Sequence, residues 1–108
     1  MKVYELNEFT REITLHDIDD NIDTYCKFLQ CDALDFATFY LQSDYRIVAV
    51  VDDMGAYERF ASCRYPDNIG YLYGTVVFAR HYFNTPDFSD IQPEDLEIIK
   101  SCVIGRPL

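Results

Sequence analysis

The sequence has few basic residues, because nine Lys and Arg stand against nineteen Asp and Glu and give a formal net charge of -10. A field of that sign repels phosphate backbones and anionic membrane surfaces, which argues against direct binding of nucleic acid or lipid. The chain also lacks an apolar run near the roughly 18 residues that span a bilayer, and its first residues include charges where a signal peptide is apolar. We therefore expect a cytoplasmic protein.

Cysteine pairs of the kind that hold zinc are missing as well. The four cysteines are Cys26, Cys31, Cys63 and Cys102. None forms a CxxC knuckle, which usually supplies two zinc ligands before the chain folds. Without a secretory signal, the apolar surroundings of these cysteines predict reduced thiols in the core. Nothing pairs one of them with a histidine, so no catalytic nucleophile is predicted.

The acidic run from Asp17 to Asp23 departs from a calcium-binding loop at its most constrained positions. Asp17, Asp19 and Asn21 match the first, third and fifth ligand positions of an EF-hand, which explains the initial likeness. Ile22 and Phe28 stand where that loop requires Gly and a bidentate Glu. The sequence therefore predicts no metal site and no cofactor.

The residues that are present favour a folded domain, since 49% are hydrophobic and 16% are aromatic. A period of two and dense β-branched or aromatic stretches predict strands, and a period of 3.6 predicts helices. The predicted elements are strands over 3–6 and 9–15, a helix over 18–29, strands over 34–41, 45–51 and 71–78, and a last helix over 93–103. The stretch 56–68 is predicted to be a loop with a short helical piece.

This order, ββαβββα, predicts one layered α+β domain over residues 1–108, a length typical of a single core. The sheet is expected to be antiparallel or mixed, with the two helices packed on one face. Gly74, inside the predicted strand 71–78, is expected to permit close approach of another backbone or to mark a bulge.

The candidate binding residues are acidic or aromatic. Acidic side chains crowd the start of the first predicted helix, where the helix dipole favours negative charge, and tyrosines can anchor a partner through their amphipathic rings. The partner-binding candidates are Asp17, Asp19, Asp20, Asp23, Tyr71 and Tyr73. In an alternative interpretation, Arg59 and Arg64 of the loop 56–68 hold an anionic ligand.

The chain resembles a family of small proteins described as the domain of unknown function thirty-eight forty-six, carried by phages, plasmids and conjugative elements of Gram-positive gut bacteria. The resemblance extends over nearly the whole chain. It is carried by the opening strand 1–3, residues 11–15 before the first helix, the strands 46–51 and 73–78, and the helix start at 87–96. The family often has an Asn-Arg pair in the middle loop, where this chain has Glu58 and Arg59.

The resemblance implies an accessory protein of a mobile element with no established catalytic residues. Small acidic proteins of that setting often inhibit host defence nucleases. Together with the charge, this favours a non-enzymatic protein that binds a basic surface on a host protein, as an inhibitor or a mimic of DNA. Two alternatives remain open. One is a small enzyme or ligand-binding domain built around the loop 56–68, and the other is a homodimeric structural module joined through a strand edge.

Overall fold

The structure, a computed structural model, describes residues 1–105, and residues 106–108 of the predicted domain lie outside that range. Its elements are β1 (Lys2–Leu6), β2 (Ile13–Asp17), α1 (Ile22–Leu29), β3 (Leu34–Leu41), β4 (Tyr45–Asp52), α2 (Gly55–Glu58), β5 (Ala61–Arg64), β6 (Tyr71–Tyr73), β7 (Val76–Tyr82), β8 (Phe88–Ser89) and α3 (Asp95–Cys102). None of the helices within residues 1–105 is long and apolar enough to cross a membrane.

A sheet in the order β2-β1-β7-β4-β3 forms the centre of the fold, and β8 continues it beside the second half of β7. Every pairing in this sheet is antiparallel. A separate hairpin of β5 and β6 carries an isolated bridge from Cys63 to Val103 just after α3. The prediction of an α+β fold with an antiparallel sheet is confirmed, although the predicted order ββαβββα omits α2 and several short strands.

The helices α1 and α3 pack on opposite faces of the sheet, so the expectation that both helices cover one face is wrong. One core cluster joins Ile47, Ala49 and Val51 of β4 to Ile99 and Cys102 of α3. The other cluster joins Val48 and Val50 of β4 to Tyr25 and Leu29 of α1. Successive side chains of a strand point to opposite faces, and a strand that is apolar throughout needs cover on both.

The predicted strand 71–78 divides at Gly74 into β6 and β7, which belong to different sheets. Gly74 has a φ of 78°, in the left-handed region that glycine adopts without a steric penalty. Tyr71 and Tyr73 therefore do not share a strand face with Val77, as the uninterrupted strand would require.

The predicted strand over 9–15 also begins later than expected, because a turn precedes β2. The Asn7 side-chain oxygen accepts hydrogen bonds from the backbone N–H groups of Phe9 at 2.8 Å and Thr10 at 3.0 Å. This Asx turn diverts the chain away from the extended conformation. A strand over 9–15 would place Phe9 on the same face as Ile13, whereas Phe9 lies in this turn before β2 and is 82% exposed.

A buried ion pair fixes α3 to the central strand. Arg80 donates to both carboxylate oxygens of Asp95, from Nε at 2.8 Å and from Nη2 at 2.9 Å. The guanidinium also lies over the Tyr45 ring, 3.9 Å from its centroid. Hydrogen bonding to Asp95 raises the pKa of Arg80, so the guanidinium stays charged. We call Arg80 and Asp95 the closed pair.

Candidate functional site

The acidic run begins at the end of β2 and continues into the first turn of α1, and all four of its predicted binding residues are exposed. The Asn21 side chain caps α1 by accepting from the Thr24 N–H at 2.9 Å. Asp23 follows in the first helical turn, where the dipole favours its charge. Asp17, Asp19 and Asp20 precede the helix, so only one of the four aspartates belongs to it.

Two of these aspartates also have structural partners. Asp17 pairs with the amino group of Met1 at 2.9 Å, and that hydrogen bond lowers the pKa of Asp17. Asp20 accepts a 2.6 Å hydrogen bond from the hydroxyl of Tyr25, a core residue of α1. The same Asp20 also faces a groove on this side of the sheet.

We call this depression the acidic groove. It has a volume of about 680 Å³ and is lined by Asp20, Asn21, Ile22, Tyr25, Phe36, Arg46, Pro86, Asp87 and Phe88. Ile22 is 65% exposed and Phe36 is 44% exposed, although both are large apolar residues. The groove thus combines exposed apolar surface with two carboxylates, those of Asp20 and Asp87, and one guanidinium, that of Arg46. Its charged side chains carry a net negative charge, which suits a partner with apolar and basic groups.

The predicted tyrosines lie on the other face of the sheet. Tyr71 and Tyr73 line a cavity of about 180 Å³ that also contains Asp35 and Ala37 of β3. Phe36, between those two residues, points to the acidic groove because side chains alternate along a strand. The structure therefore does not bring Tyr71 and Tyr73 together with the acidic run, and one flat interface cannot use both sets.

Arg59 lies at the centre of a second candidate site. Its Nε donates to Asp52 at 3.0 Å and its Nη1 donates to Glu8 at 3.0 Å. Its Nη2 donates to the carbonyl oxygens of Leu29 at 3.2 Å and Gln30 at 3.1 Å, at the end of α1. These hydrogen bonds tie together β4, the turn after β1 and α1, and hydrogen bonding to Asp52 raises the pKa of Arg59.

A cavity of about 400 Å³ opens beside Arg59, and we call it the Arg59 pocket. It is lined by Glu8, Phe9, Glu58, Arg59 and Phe60. A Cβ atom added to Gly74 would lie 2.5 Å from Cδ of Arg59 and 2.9 Å from Oε2 of Glu8. Glycine is therefore required here for two reasons, the positive φ and the close approach of these side chains. The expected close approach at Gly74 involves side chains rather than another backbone.

Arg64 serves a different part of the fold. Its Nη1 donates to the Asn68 side chain at 3.0 Å, and its Nη2 donates to the carbonyl oxygen of Ser101 in α3 at 3.0 Å. Arg59 and Arg64 therefore hold different elements together, and no shared anion site between them is evident in the part of the chain described.

Sequence reasoning missed Glu8, Phe9 and Phe60 as pocket residues. Glu8 and Arg59 are distant in the chain, and only the fold makes them neighbours. The sequence pattern predicts Phe9 on a strand face instead. The one available signal was Gly74, since a glycine inside a strand pattern indicates a close approach, although it does not say which side chains approach.

The thiols and carboxylates do not assemble into a metal centre in the described structure, since residues 1–105 contain no group of three or more His, Cys, Asp or Glu that could hold a metal ion. All four cysteines are free, with Cys63 and Cys102 buried and Cys26 and Cys31 partly buried. Burial raises the pKa of Cys63 to about 12 and that of Cys31 to about 11. Raised values suppress the thiolate, the form that reacts and binds metal.

The two sheet edges bear on the homodimer hypothesis. β2 and β3 are the outer strands, and β3 has a register shift between Thr38 and Tyr40. Such a bulge discourages edge-to-edge pairing. β2 has no such irregularity in its register with β1. Pairing of two copies through β2 stays a prediction.

Comparisons of the chain with protein-family models, curated proteins and solved structures returned no significant match. The resemblance to the family of mobile-element proteins therefore stays a prediction carried by its sequence motifs alone.

Proposed function

We propose that this chain is a non-catalytic binding protein whose acidic groove docks on a basic surface of a nucleic-acid-binding protein. The observation that carries the proposal is the juxtaposition of the exposed side chains of Ile22 and Phe36 with the carboxylates of Asp20 and Asp87. Because the chain resembles mobile-element proteins, we also propose that the partner is a host protein and that binding inhibits it.

The overall charge supports a basic partner. With a formal net charge of -10, the protein attracts cationic surfaces before contact is made. This long-range attraction raises the rate of association with a basic partner. Proteins that bind nucleic acid carry such surfaces in order to neutralise phosphates. Asp19 and Asp23 are exposed and neighbour the groove residues Asp20 and Ile22 in the chain, so they add charge at the same end of α1.

The apolar residues of the groove supply the part of the binding energy that salt does not screen. Exposed Ile22 and Phe36 each offer apolar area whose removal from water contributes roughly 25 cal/mol per Å² before the costs of association. Phe36 also packs edge-on against Phe88, with ring centroids 5.7 Å apart, which restrains the ring before a partner arrives. Restrained aromatic side chains are effective anchors because little rotamer entropy is lost on binding.

The test replaces Asp19, Asp20 and Asp23 together with Asn. The amide oxygen of the new side chain at position 20 can still accept the hydrogen bond of Tyr25, so the core contact is retained while charge is removed. The matched control replaces Glu12 and Glu97 with Gln and Asp32 with Asn, three exposed carboxylates outside the groove. Both variants lose the same formal charge.

The measurement is association kinetics across a salt series with a nucleic-acid-binding protein captured from a host lysate. We expect the groove variant to associate more slowly and with a flatter dependence on ionic strength than the control variant, because steering acts mainly on the on-rate. Equal rates and equal salt slopes for the two variants would show that net charge alone attracts the partner and would refute the groove as the interface. Failure to capture any protein with a basic surface would refute the proposed function.

A further inference from the structure

The Arg59 pocket has an excess of negative charge despite its arginine. Glu8 and Glu58 line it and Asp52 pairs with the same guanidinium, so three carboxylates surround one cation. Four of the five N–H donors of Arg59 are already used by Glu8, Asp52 and two carbonyl oxygens. An anionic ligand could therefore accept from only one free N–H of Arg59, and the three carboxylates would repel it.

Glu8 has hydrogen-bonding capacity that the described residues do not use. Its side chain is 10% exposed and its Oε1 accepts from Arg59, while its Oε2 is buried with no hydrogen-bond partner among residues 1–105. An unpartnered buried oxygen carries a desolvation penalty that a donor can relieve. Oε2 lies against Gly74, and rotation about the terminal torsion of Glu8, which is soft, turns it toward the cavity only by moving Oε1 away from Nη1 of Arg59. A ligand N–H at Glu8 therefore takes over part of the pairing that Arg59 provides.

Two phenyl rings flank the cavity and are almost fully exposed. Phe9 is 82% exposed and Phe60 is 88% exposed, and both line the Arg59 pocket. The Asx turn at Asn7 holds Phe9, and Arg11 ties the same turn to β5 by donating to the carbonyl oxygen of Ala61 at 2.9 Å. Ring faces attract cations, and apolar rings also cover the hydrocarbon part of an amine.

We propose that the Arg59 pocket binds an alkylammonium group, whose N–H donates to Glu8 while Phe9 and Phe60 enclose its hydrocarbon chain. The group is supplied either by a free amine or by a lysine side chain of another protein. A volume of about 400 Å³ is enough for such a ligand and lies in the range of small-molecule sites. The proposal reverses the ligand charge expected for Arg59 and does not depend on the acidic groove.

The first test titrates the whole protein with n-butylammonium, n-butanol and butyrate and follows the backbone amide signals of Phe9, Phe60 and Gly74 by NMR. We expect saturable shifts with n-butylammonium and no saturation with the neutral or anionic analogue over the same concentrations. Butyltrimethylammonium, which has no N–H to donate, is expected to bind more weakly than n-butylammonium. No saturation with the amine, saturation with butyrate, or tighter binding of the quaternary amine would overturn the proposal.

A second titration, with N-acetyl-lysine methylamide, distinguishes the two sources of the ammonium group. Affinity equal to that of n-butylammonium assigns the site to lysine side chains, because the peptide backbone is then tolerated at the cavity mouth. Much weaker binding assigns it to free amines. Both results agree with the proposed chemistry.

Variants localise the binding to the pocket. Phe60→Ala and Glu58→Gln change exposed side chains and are expected to weaken n-butylammonium binding by about two- to five-fold each. Ile69→Ala, at a 76% exposed residue outside the pocket lining, is the matched control and is expected to leave affinity unchanged. Glu8→Gln is expected to abolish saturable binding, with circular dichroism checking that the chain folds. Equal affinity of the Phe60, Glu58 and Ile69 variants would refute the site.

Discussion

Within residues 1–105, two arginines pair with carboxylates, and their surroundings differ. In the closed pair, the side chain of Arg80 is 6% exposed and that of Asp95 is 4% exposed, and the Tyr45 ring covers the guanidinium. We call Arg59 with its partners Glu8 and Asp52 the open centre, where the side chain of Arg59 is 20% exposed and borders a cavity of about 400 Å³. The closed pair fastens a helix to the sheet, whereas the open centre has a spare acceptor on Glu8 and room for a ligand.

The two centres differ in how completely their hydrogen-bonding groups are paired. Both carboxylate oxygens of Asp95 accept hydrogen bonds from the guanidinium of Arg80, and Asp95 also accepts from the Gln92 N–H at 3.0 Å. Glu8 satisfies Arg59 with one oxygen only. Within residues 1–105, the same residue types therefore pair completely in one place and leave one buried carboxylate oxygen unpaired in the other.

The largest expected effect comes from opening the closed pair with Arg80→Met. This change leaves the buried carboxylate of Asp95 without its guanidinium, which typically costs about 3–5 kcal/mol of unfolding free energy. Urea denaturation of the variant measures the loss. Combining Arg80→Met with Asp95→Leu should recover part of it, because no unpaired charge then remains. If Arg80→Met alone left the unfolding free energy nearly unchanged, the pair would not be enclosed as described.

Arg59→Met is expected to have a smaller effect, because its carboxylate partners can gain water through the cavity. We expect a loss of about 1–3 kcal/mol, the cost of leaving partly buried acceptors unsatisfied. The control is Arg64→Met, whose hydrogen bonds to Asn68 and Ser101 are exposed, and it should cost less. If urea denaturation shows that Arg59→Met and Arg80→Met cost the same, the two centres do not differ in enclosure.

Alkaline pH provides a third test, through one thiol that is buried against α3 and one thiol near Arg59. Cys63 packs in the cluster with α3 and burial raises its pKa to about 12, whereas the raised pKa of Cys31, near Arg59, is about 11. A raised folded pKa means that stability is fully present below about pH 8.5, the pKa of an unfolded thiol, and is lost as pH rises toward the folded value. Each such thiol contributes a slope of about 1.4 kcal/mol per pH unit in that window.

The measurement is urea denaturation at several pH values between the unfolded and folded thiol pKa values. Cys63→Val should flatten the fall in unfolding free energy over a wider range of pH than Cys31→Val, because its pKa is displaced further. Flattening by neither variant would show that neither thiol is protected from ionisation in the folded state.

The smallest expected effect is at the rim of the Arg59 pocket. Phe9→Ala and Phe60→Ala remove rings that are mostly in water, so each should change the unfolding free energy by less than about 0.5 kcal/mol. Phe78→Ala, at a fully buried phenylalanine, should cost about 3–5 kcal/mol in the same denaturation experiment. A cost at Phe9 or Phe60 close to that at Phe78 would show that the rings pack in the fold and are not free to enclose a ligand.

The elements that depend on local patterns could be predicted from the sequence. The strands β3 and β4 were predictable because each is an almost continuous apolar stretch, and a short polar link separates them. The helix α1 was predictable because apolar residues recur at helical spacing after aspartates. The last helix was predictable from its acidic, proline-containing start and its buried Ile99. These signals lie within a few residues of the elements they specify.

The surfaces that these elements form depend on long-range contacts and could not be predicted from the sequence. The sequence of β4 shows that the side chains on both of its faces are apolar. It does not show which helix covers each face. The Arg59 pocket depends on contacts between Glu8 and Arg59, which are far apart in the chain, and on the left-handed turn at Gly74. Long-range contacts of this kind leave no periodic trace in a single sequence, because each residue is locally compatible with several surroundings.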